Sequence, residues 1–276
     1  MKKAQRLFDR LWDDYIGQNP EAKKVYDLLV SEGETVVNDH IAFRTFDDPR
    51  VGIDVLAEPF LEAGYEYRGD YTFEEKKLVA KHFEYKPFRN APRIFISALQ
   101  TEKFSPFLHR TAMELIDKIP ASLLSSPDLV HAGNIWGTPV LDTYEKLKKE
   151  SEYAAWLYVY GFRANHFTVS INNLKKFNDI YRLNRFLKEN GFKLNESGGE
   201  VKGSPEELLE QSSTLAGKLD VQFVKGVFSI PSCYYEFARR YPDSSGDLYG
   251  GFIARSADKI FESTDNPEKS PEDKSR

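Results

Sequence analysis

The sequence predicts an α+β fold in which two βαβββ modules form one cupped mixed sheet, with N-terminal helices and a helical insertion. Three observations predict it. The hydrophobic period switches from helical to alternating and back along the chain, short segments recur between its two halves, and a leucine- and proline-rich stretch of helical period separates those halves. A chain of 276 residues is long enough to bury a substantial core.

In order, residues 1–33 read as two amphipathic helices. Leu7, Leu11 and Tyr15 fall at i, i+4 spacing, Val25, Leu28 and Leu29 continue the pattern, and Gly33 stops it. The first module, 38–100, opens on the strand signal His40-Ile41-Ala42-Phe43-Arg44-Thr45-Phe46. A short helix from Ile53 to Ala63 closes at Gly64, and strands are expected at 65–73, 77–86 and 92–99. Residues 102–158, broken by Pro106, Pro120, Pro127 and Pro139, read as a helical insertion or lid. The second module, 163–262, begins with a strand at 163–171. A helix from Leu174 to Asn190 follows, and strands are expected near 192–202, 219–229 and 232–240. A loop and short helix are read into the segment SGGEVKGSPEELLEQSST. Residues 1–262 thus form a single catalytic domain, and the polar stretch 263–276 is expected to be a disordered tail.

Composition narrows the function. A net charge of −5 and the lack of a basic stripe argue against nucleic acid. No apolar run approaches the roughly 20 residues that span a bilayer, so no membrane partner is expected. The N-terminal segment lacks the apolar core and cleavage site of a secretory signal, and the single cysteine, Cys233, cannot form an internal disulfide. A cytoplasmic location is therefore expected.

The repeat locates a candidate site. Asn38-Asp39-His40-Ile41-Ala42-Phe43 is matched by Ala164-Asn165-His166-Phe167-Thr168-Val169. Phe60-Leu61-Glu62-Ala63-Gly64-Tyr65 is matched by Phe186-Leu187-Lys188-Glu189-Asn190-Gly191-Phe192, at nearly the same distance from its histidine. Each module therefore opens with a histidine on its first strand. The second module closes on Tyr234-Tyr235-Glu236-Phe237, where the first offers only Ser97. A carboxylate in so apolar a strand is costly unless paired or metal-bound. Its other reading is an ion pair with Arg239 or Arg240. Paired modules of this kind resemble the vicinal oxygen chelate fold. His40, His166 and Glu236 would then hold one face of a metal, a set that suits Fe(II) with positions left open.

The strings DHIAFRTF, HFEYKPFRNAPRIFISAL, NHFTVSIN, SCYYEFARRY and GFIARSADKIFEST resemble the 2-oxoadipate dioxygenase/decarboxylase family from about residue 38 to 264. The resemblance implies one Fe(II) on His40, His166 and Glu236, with Arg44 binding the substrate. It implies oxidative decarboxylation of a 2-oxo dicarboxylic acid by dioxygen, 2-oxoadipate giving 2-hydroxyglutarate, with a second decarboxylation and two CO2 expected per substrate. No flavin, nicotinamide or external 2-oxoglutarate is then expected. The alternatives are a non-oxidative metal-dependent lyase, isomerase or hydrolase, or a non-catalytic small-molecule binding protein.

Arg44 shares a strand face with His40, so it reaches the same cavity if His40 does. Arg255 and Ser256 are further candidates for lining the pocket, with packing an equal reading. Asp39 and Asn165 are read as strand starts rather than as orienters of the histidines. His82 and Glu84 also share a strand face and are the rival ligand pair. His109 and His131, in the insertion, are expected to be structural, and Cys233 a buried apolar group.

Overall fold

The computed structural model describes residues 2–88 and 90–253. The expectations for Arg255, Ser256 and the tail 263–276 therefore concern positions outside the described residues.

Eight strands form one curled sheet in the order β2-β3-β4-β1-β5-β10-β7-β6. The first module contributes β1 (Asn38–Phe46), α3 (Ile53–Glu62), β2 (Glu66–Phe73), β3 (Leu78–Glu84) and β4 (Arg93–Leu99). The second contributes β5 (Ala164–Ser170), α8 (Ile180–Glu189), β6 (Lys202–Ser204), β7 (Leu209–Ser213) and β10 (Glu236–Arg240). β1 and β5 pair antiparallel at the centre, each flanked by a parallel partner, β4 and β10 respectively. Antiparallel strands complete both wings. The two halves are thus arranged alike about the central pair, which places both first-strand histidines side by side.

The N-terminal helix α1 (Lys2–Gln18) covers the convex side of β5, and α2 (Pro20–Ser31) packs against α1. Trp12 and Tyr15 pack on Phe167, and the Tyr15 hydroxyl donates to the Tyr234 carbonyl. Gly33, at φ 83°, ends α2 in the left-handed region that favours glycine. The insertion is helical as expected: α4 (Pro106–Asp117), α5 (Ala121–Leu124), α6 (Leu141–Glu150) and α7 (Glu152–Tyr160), with short 3-10 turns. All nine residues of α7 except Glu152 are buried, because it lies against β1 at one end of the cup.

The second module departs from the sequence reading in four places. α8 starts at Ile180 rather than Leu174, because the Asp179 carboxylate accepts from the Arg182 N–H and caps it there. The preceding turn is instead held by Glu34, which accepts the backbone N–H groups of Lys175, Lys176 and Phe177. Leu209–Ser213 is a strand, where a short helix was expected. Three of its buried polar residues have side-chain partners: Glu210 on Tyr241, Gln211 on Glu236, and Ser212 on Asn184. The expected strand 219–229 is a hairpin, β8 (Lys218–Phe223) and β9 (Gly226–Pro231), forming a separate two-stranded sheet. Of the expected strand 192–202 only Lys202 joins the main sheet, as the first residue of β6, with Leu194 bridging to Thr214.

Candidate metal centre

Register explains how three side chains from distant segments converge. His40 lies opposite Thr168, and Ala42 opposite His166, so the two histidines are diagonal neighbours on the concave face. Thr168 is in turn opposite Glu236 on β10. One row across three strands therefore reads His40, Thr168, Glu236, with His166 beside it. The His40 and His166 ring centroids are 5.6 Å apart. Glu236 Oε1 is 3.6 Å from His40 Nε2, and its Oε2 is 3.2 Å from His166 Nε2. One ligand atom from each residue falls within 4.8 Å of the others, and all three residues are buried.

The equivalent pairing in the first module sets Phe95 opposite Ala42, two residues beyond His40, just as Glu236 is opposite Thr168, two beyond His166. Phe95, rather than Ser97, is therefore the counterpart of Glu236. The site gains its carboxylate from one module alone.

The hydrogen bonds fix the tautomers. His40 Nδ1 lies 2.9 Å from Asp39 Oδ1, and His166 Nδ1 lies 2.9 Å from Asn165 Oδ1. Both partners are acceptors, so each ring carries its proton on Nδ1 and turns the Nε2 lone pair into the cavity. Asp39 and Asn165 thus orient the rings, and are more than strand starts. The Thr168 hydroxyl, 3.1 Å away, donates to His40 Nε2. Burial lowers the His166 pKa and favours the neutral imidazole a metal requires. Burial pushes Glu236 upward, yet its pKa stays below the usual value, because positive charge beside it, on His166 and His40 when they are protonated, and the Gln211 amide favour the carboxylate. Neither neighbouring arginine pairs with it: Arg239 binds Asp179 and Arg240 binds Asp39. Two neutral imidazole nitrogens and one carboxylate, converging in a buried space, form a donor set that fits a divalent cation and leaves part of its coordination sphere open.

Arg44 lines the same cavity, two residues beyond Ala42 on the His40 face. Its side chain is buried, and its guanidinium carbon lies 4.9 Å from the Tyr153 ring centre and 5.1 Å from that of Trp156, both on α7. The insertion therefore supplies the aromatic bed for the cavity's cation. Ala42, Phe43, Phe95, Tyr234 and Phe252 form the apolar walls, with Tyr234 stacked on His166 at 4.7 Å. No signal in the sequence marked Gln211, Trp156 or Phe252. Asp39 and Asn165 did carry one, a short polar acceptor immediately before each repeated histidine.

The other candidates lie elsewhere. His82 is on the concave face, but β4 intervenes between its strand and β1. His82 Nδ1 bonds Tyr71, and Glu84 is engaged by His82, Arg93 and Arg68. His109 bonds Thr101, and His131 pairs with Asp128. Cys233 is buried, which pushes its thiol up to about 12.

A family profile described as 2-oxoadipate dioxygenase/decarboxylase matches residues 7–243. The chloroplastic/amyloplastic 2-oxoadipate dioxygenase/decarboxylase of Oryza sativa subsp. japonica is 38% identical over 285 residues, covering 91% of this chain and 76% of the rice protein. Among solved structures, hydroxyglutarate synthase from Oryza sativa in complex with 2-oxoadipate superposes with a TM-score of 0.87 at 35% identity. The match covers 95% of this chain and 91% of that one. A Shewanella frigidimarina protein described as a hydrolase superposes at 0.85 with 51% identity, over 91% and 97% of the two chains. A glyoxalase-superfamily protein from Ralstonia eutropha, 21% identical, shares the fold at a TM-score of 0.71 over 91% and 85%.

Proposed function

This chain belongs to the 2-oxoadipate dioxygenase/decarboxylase family, and from that premise we propose that it oxidatively decarboxylates 2-oxoadipate to 2-hydroxyglutarate. The observation that carries the reading is the buried convergence of His40, His166 and Glu236 in a cavity that Arg44 also lines. The donor set suits ferrous iron, which when bound supplies Lewis acidity toward a 2-oxo acid and the electrons that activate dioxygen.

The chain's own residues do the rest. Asp39 and Asn165 hold the two imidazoles in one tautomer, and Gln211 fixes the carboxylate. Arg44 receives the carboxylate at the far end of the substrate through its planar fork, a charge-assisted contact worth about 1.5–3 kcal/mol. The apolar walls keep water from the reacting carbons. The substrate carries its own 2-oxo acid, so no external 2-oxoglutarate, flavin or nicotinamide is required. Atoms balance with a single carbon dioxide: a six-carbon 2-oxo diacid plus dioxygen gives a five-carbon 2-hydroxy diacid and CO2. A second decarboxylation would leave only four carbons.

No helix among the described residues is long and apolar enough to cross a membrane. The lone cysteine supports a reducing compartment, which we take to be the cytoplasm.

The test is anaerobic loading with ferrous iron, then oxygen-electrode measurements with 2-oxoadipate and with shorter and longer 2-oxo diacids. One dioxygen consumed and one carbon dioxide released per substrate, with label from isotopic oxygen in the product, is the expected result. Turnover that continues unchanged without oxygen would overturn it in favour of a non-oxidative lyase or hydrolase.

A further inference from the structure

The segment Tyr249–Ile253 follows β10 as an irregular strap and brings Phe252 into the wall of the metal-centre cavity. The Phe252 ring stands perpendicular to His40 at 4.9 Å and lies 4.7 Å from Phe95. With Phe252 in place the cavity measures about 30 Å³. That is room for little more than a water or two, so a six-carbon diacid requires part of the wall to move; of the lining residues all but Tyr234 and Phe252 lie in strands of the sheet.

The strap is held by its backbone. Arg240 Nη1 donates to the carbonyls of Tyr249 (2.8 Å) and Gly251 (2.7 Å). Tyr71 Oη accepts the Phe252 N–H at 3.1 Å, and its own proton is directed at His82 Nδ1, 2.8 Å away. Gly250 passes so close to Glu84 that a Cβ there would sit 2.4 Å from its Oε1. The rival cluster of His82 and Glu84 thus serves as the frame of the strap.

Arg240 faces two ways. Its Nε and Nη2 grip both oxygens of Asp39, at 2.7 and 2.9 Å, and Asp39 Oδ1 in turn accepts the His40 Nδ1 proton. One planar guanidinium therefore joins the strap to the imidazole at the metal centre. Because the fork is rigid, it cannot follow the strap without disturbing its grip on Asp39.

We propose that Arg240 is a positioning residue that couples closure of the Tyr249–Ile253 strap to the orientation of His40. Seating the strap fills the two carbonyl contacts, locks the Asp39 pair and turns His40 Nε2 inward. Lifting it to admit the 2-oxo acid loosens all three, so full ligand geometry is regained only when the strap closes over the substrate. The inference rests on the proposed function for the identity of that substrate.

Removing Arg240 outright would strand a buried carboxylate and risk the fold. The primary variant is therefore Tyr71→Phe, which frees the strap without touching Asp39, Arg240 or a ligand, and the secondary one is Arg240→Lys. Amide exchange at Phe252, read on the whole chain without substrate, should speed up about three- to tenfold in Tyr71→Phe, the loss of one hydrogen bond. Ferrous affinity, measured by chelator competition, should fall at least threefold in Tyr71→Phe and about 10–100-fold in Arg240→Lys. Oxygen consumed per 2-hydroxy acid formed should rise above one in both. Faster strap exchange with wild-type iron affinity in Tyr71→Phe would overturn the coupling, and so would unchanged exchange. If wild-type enzyme ignores 2-oxoadipate, the proposed function fails, while the exchange and affinity measurements still decide the coupling.

Discussion

The concave face carries two clusters of histidine and carboxylate, one at His40, His166 and Glu236 and one at His82 and Glu84. In the first, the outward ring nitrogens meet acceptors, Asp39 and Asn165, and the inward lone pairs converge on a carboxylate whose neighbours Arg239 and Arg240 pair with other acids. In the second, Tyr71 occupies Nδ1 of the single histidine, and Arg93 and Arg68 crowd the carboxylate. Among the described residues, the first set is the one group of three that can hold a metal. Spacing along a strand makes both pairs equally eligible. What separates them is the charge around the carboxylate and the partner of each ring's second nitrogen.

The sharpest way to break this comparison is to remove the convergent carboxylate. Glu236→Ala should abolish bound iron and turnover, whereas His82→Ala should keep wild-type iron content. Metal analysis of the purified variants decides, and loss in His82→Ala alone would reverse the assignment. Next in size is Arg44→Lys. It keeps the charge but loses the fork, and should raise KM for 2-oxoadipate about 10–100-fold with iron content unchanged. Unchanged kinetics would move the anion contact elsewhere. Asn165→Ala removes the acceptor on His166 Nδ1 and should weaken iron binding about tenfold in a chelator competition. Equal affinity would mean that the sheet alone holds the ring.

The smallest effect probes the second cluster as a structural device. The Glu84 carboxyl is held at about 2, first by its hydrogen bond with His82 and then, against partial burial, by Arg93. Its folded pKa lies below its unfolded value, so its contribution is present above the ordinary 4.5 and is lost as pH falls from there toward 2. Glu84→Gln should therefore cost about 1 kcal/mol near neutrality, the upper range of a partly exposed pair. The gap from wild type should close below pH 4 in urea melts. A gap that persists at pH 2.5 would assign the effect to packing against Gly250 instead.

Much of the architecture was legible because the repeat constrains it. Two segments opening on a histidine and closing their helix at Gly64 or Gly191 imply paired modules, and pairing implies that His40 and His166 meet. The first module also follows its hydrophobic periods closely, since β1, β3 and β4 are apolar strands bounded by turns. The second module was harder to read for a physical reason. β7 buries Glu210, Gln211 and Ser212, residues whose burial is tolerable only because Tyr241, Glu236 and Asn184 come from elsewhere to bond them.

The sequence by itself therefore determined the duplicated α+β plan and the three ligand candidates, because periodicity and repetition are local properties of the chain. Tertiary structure alone decided the Arg240 grip on Asp39, the Gln211 contact, the aromatic bed under Arg44 and the strap carrying Phe252. Each of these depends on a polar or aromatic group finding its partner across long separations, such as the 201 residues between Asp39 and Arg240. Hydrogen-bond satisfaction at that range leaves no periodic trace in a sequence; it exists only once the sheet has curled.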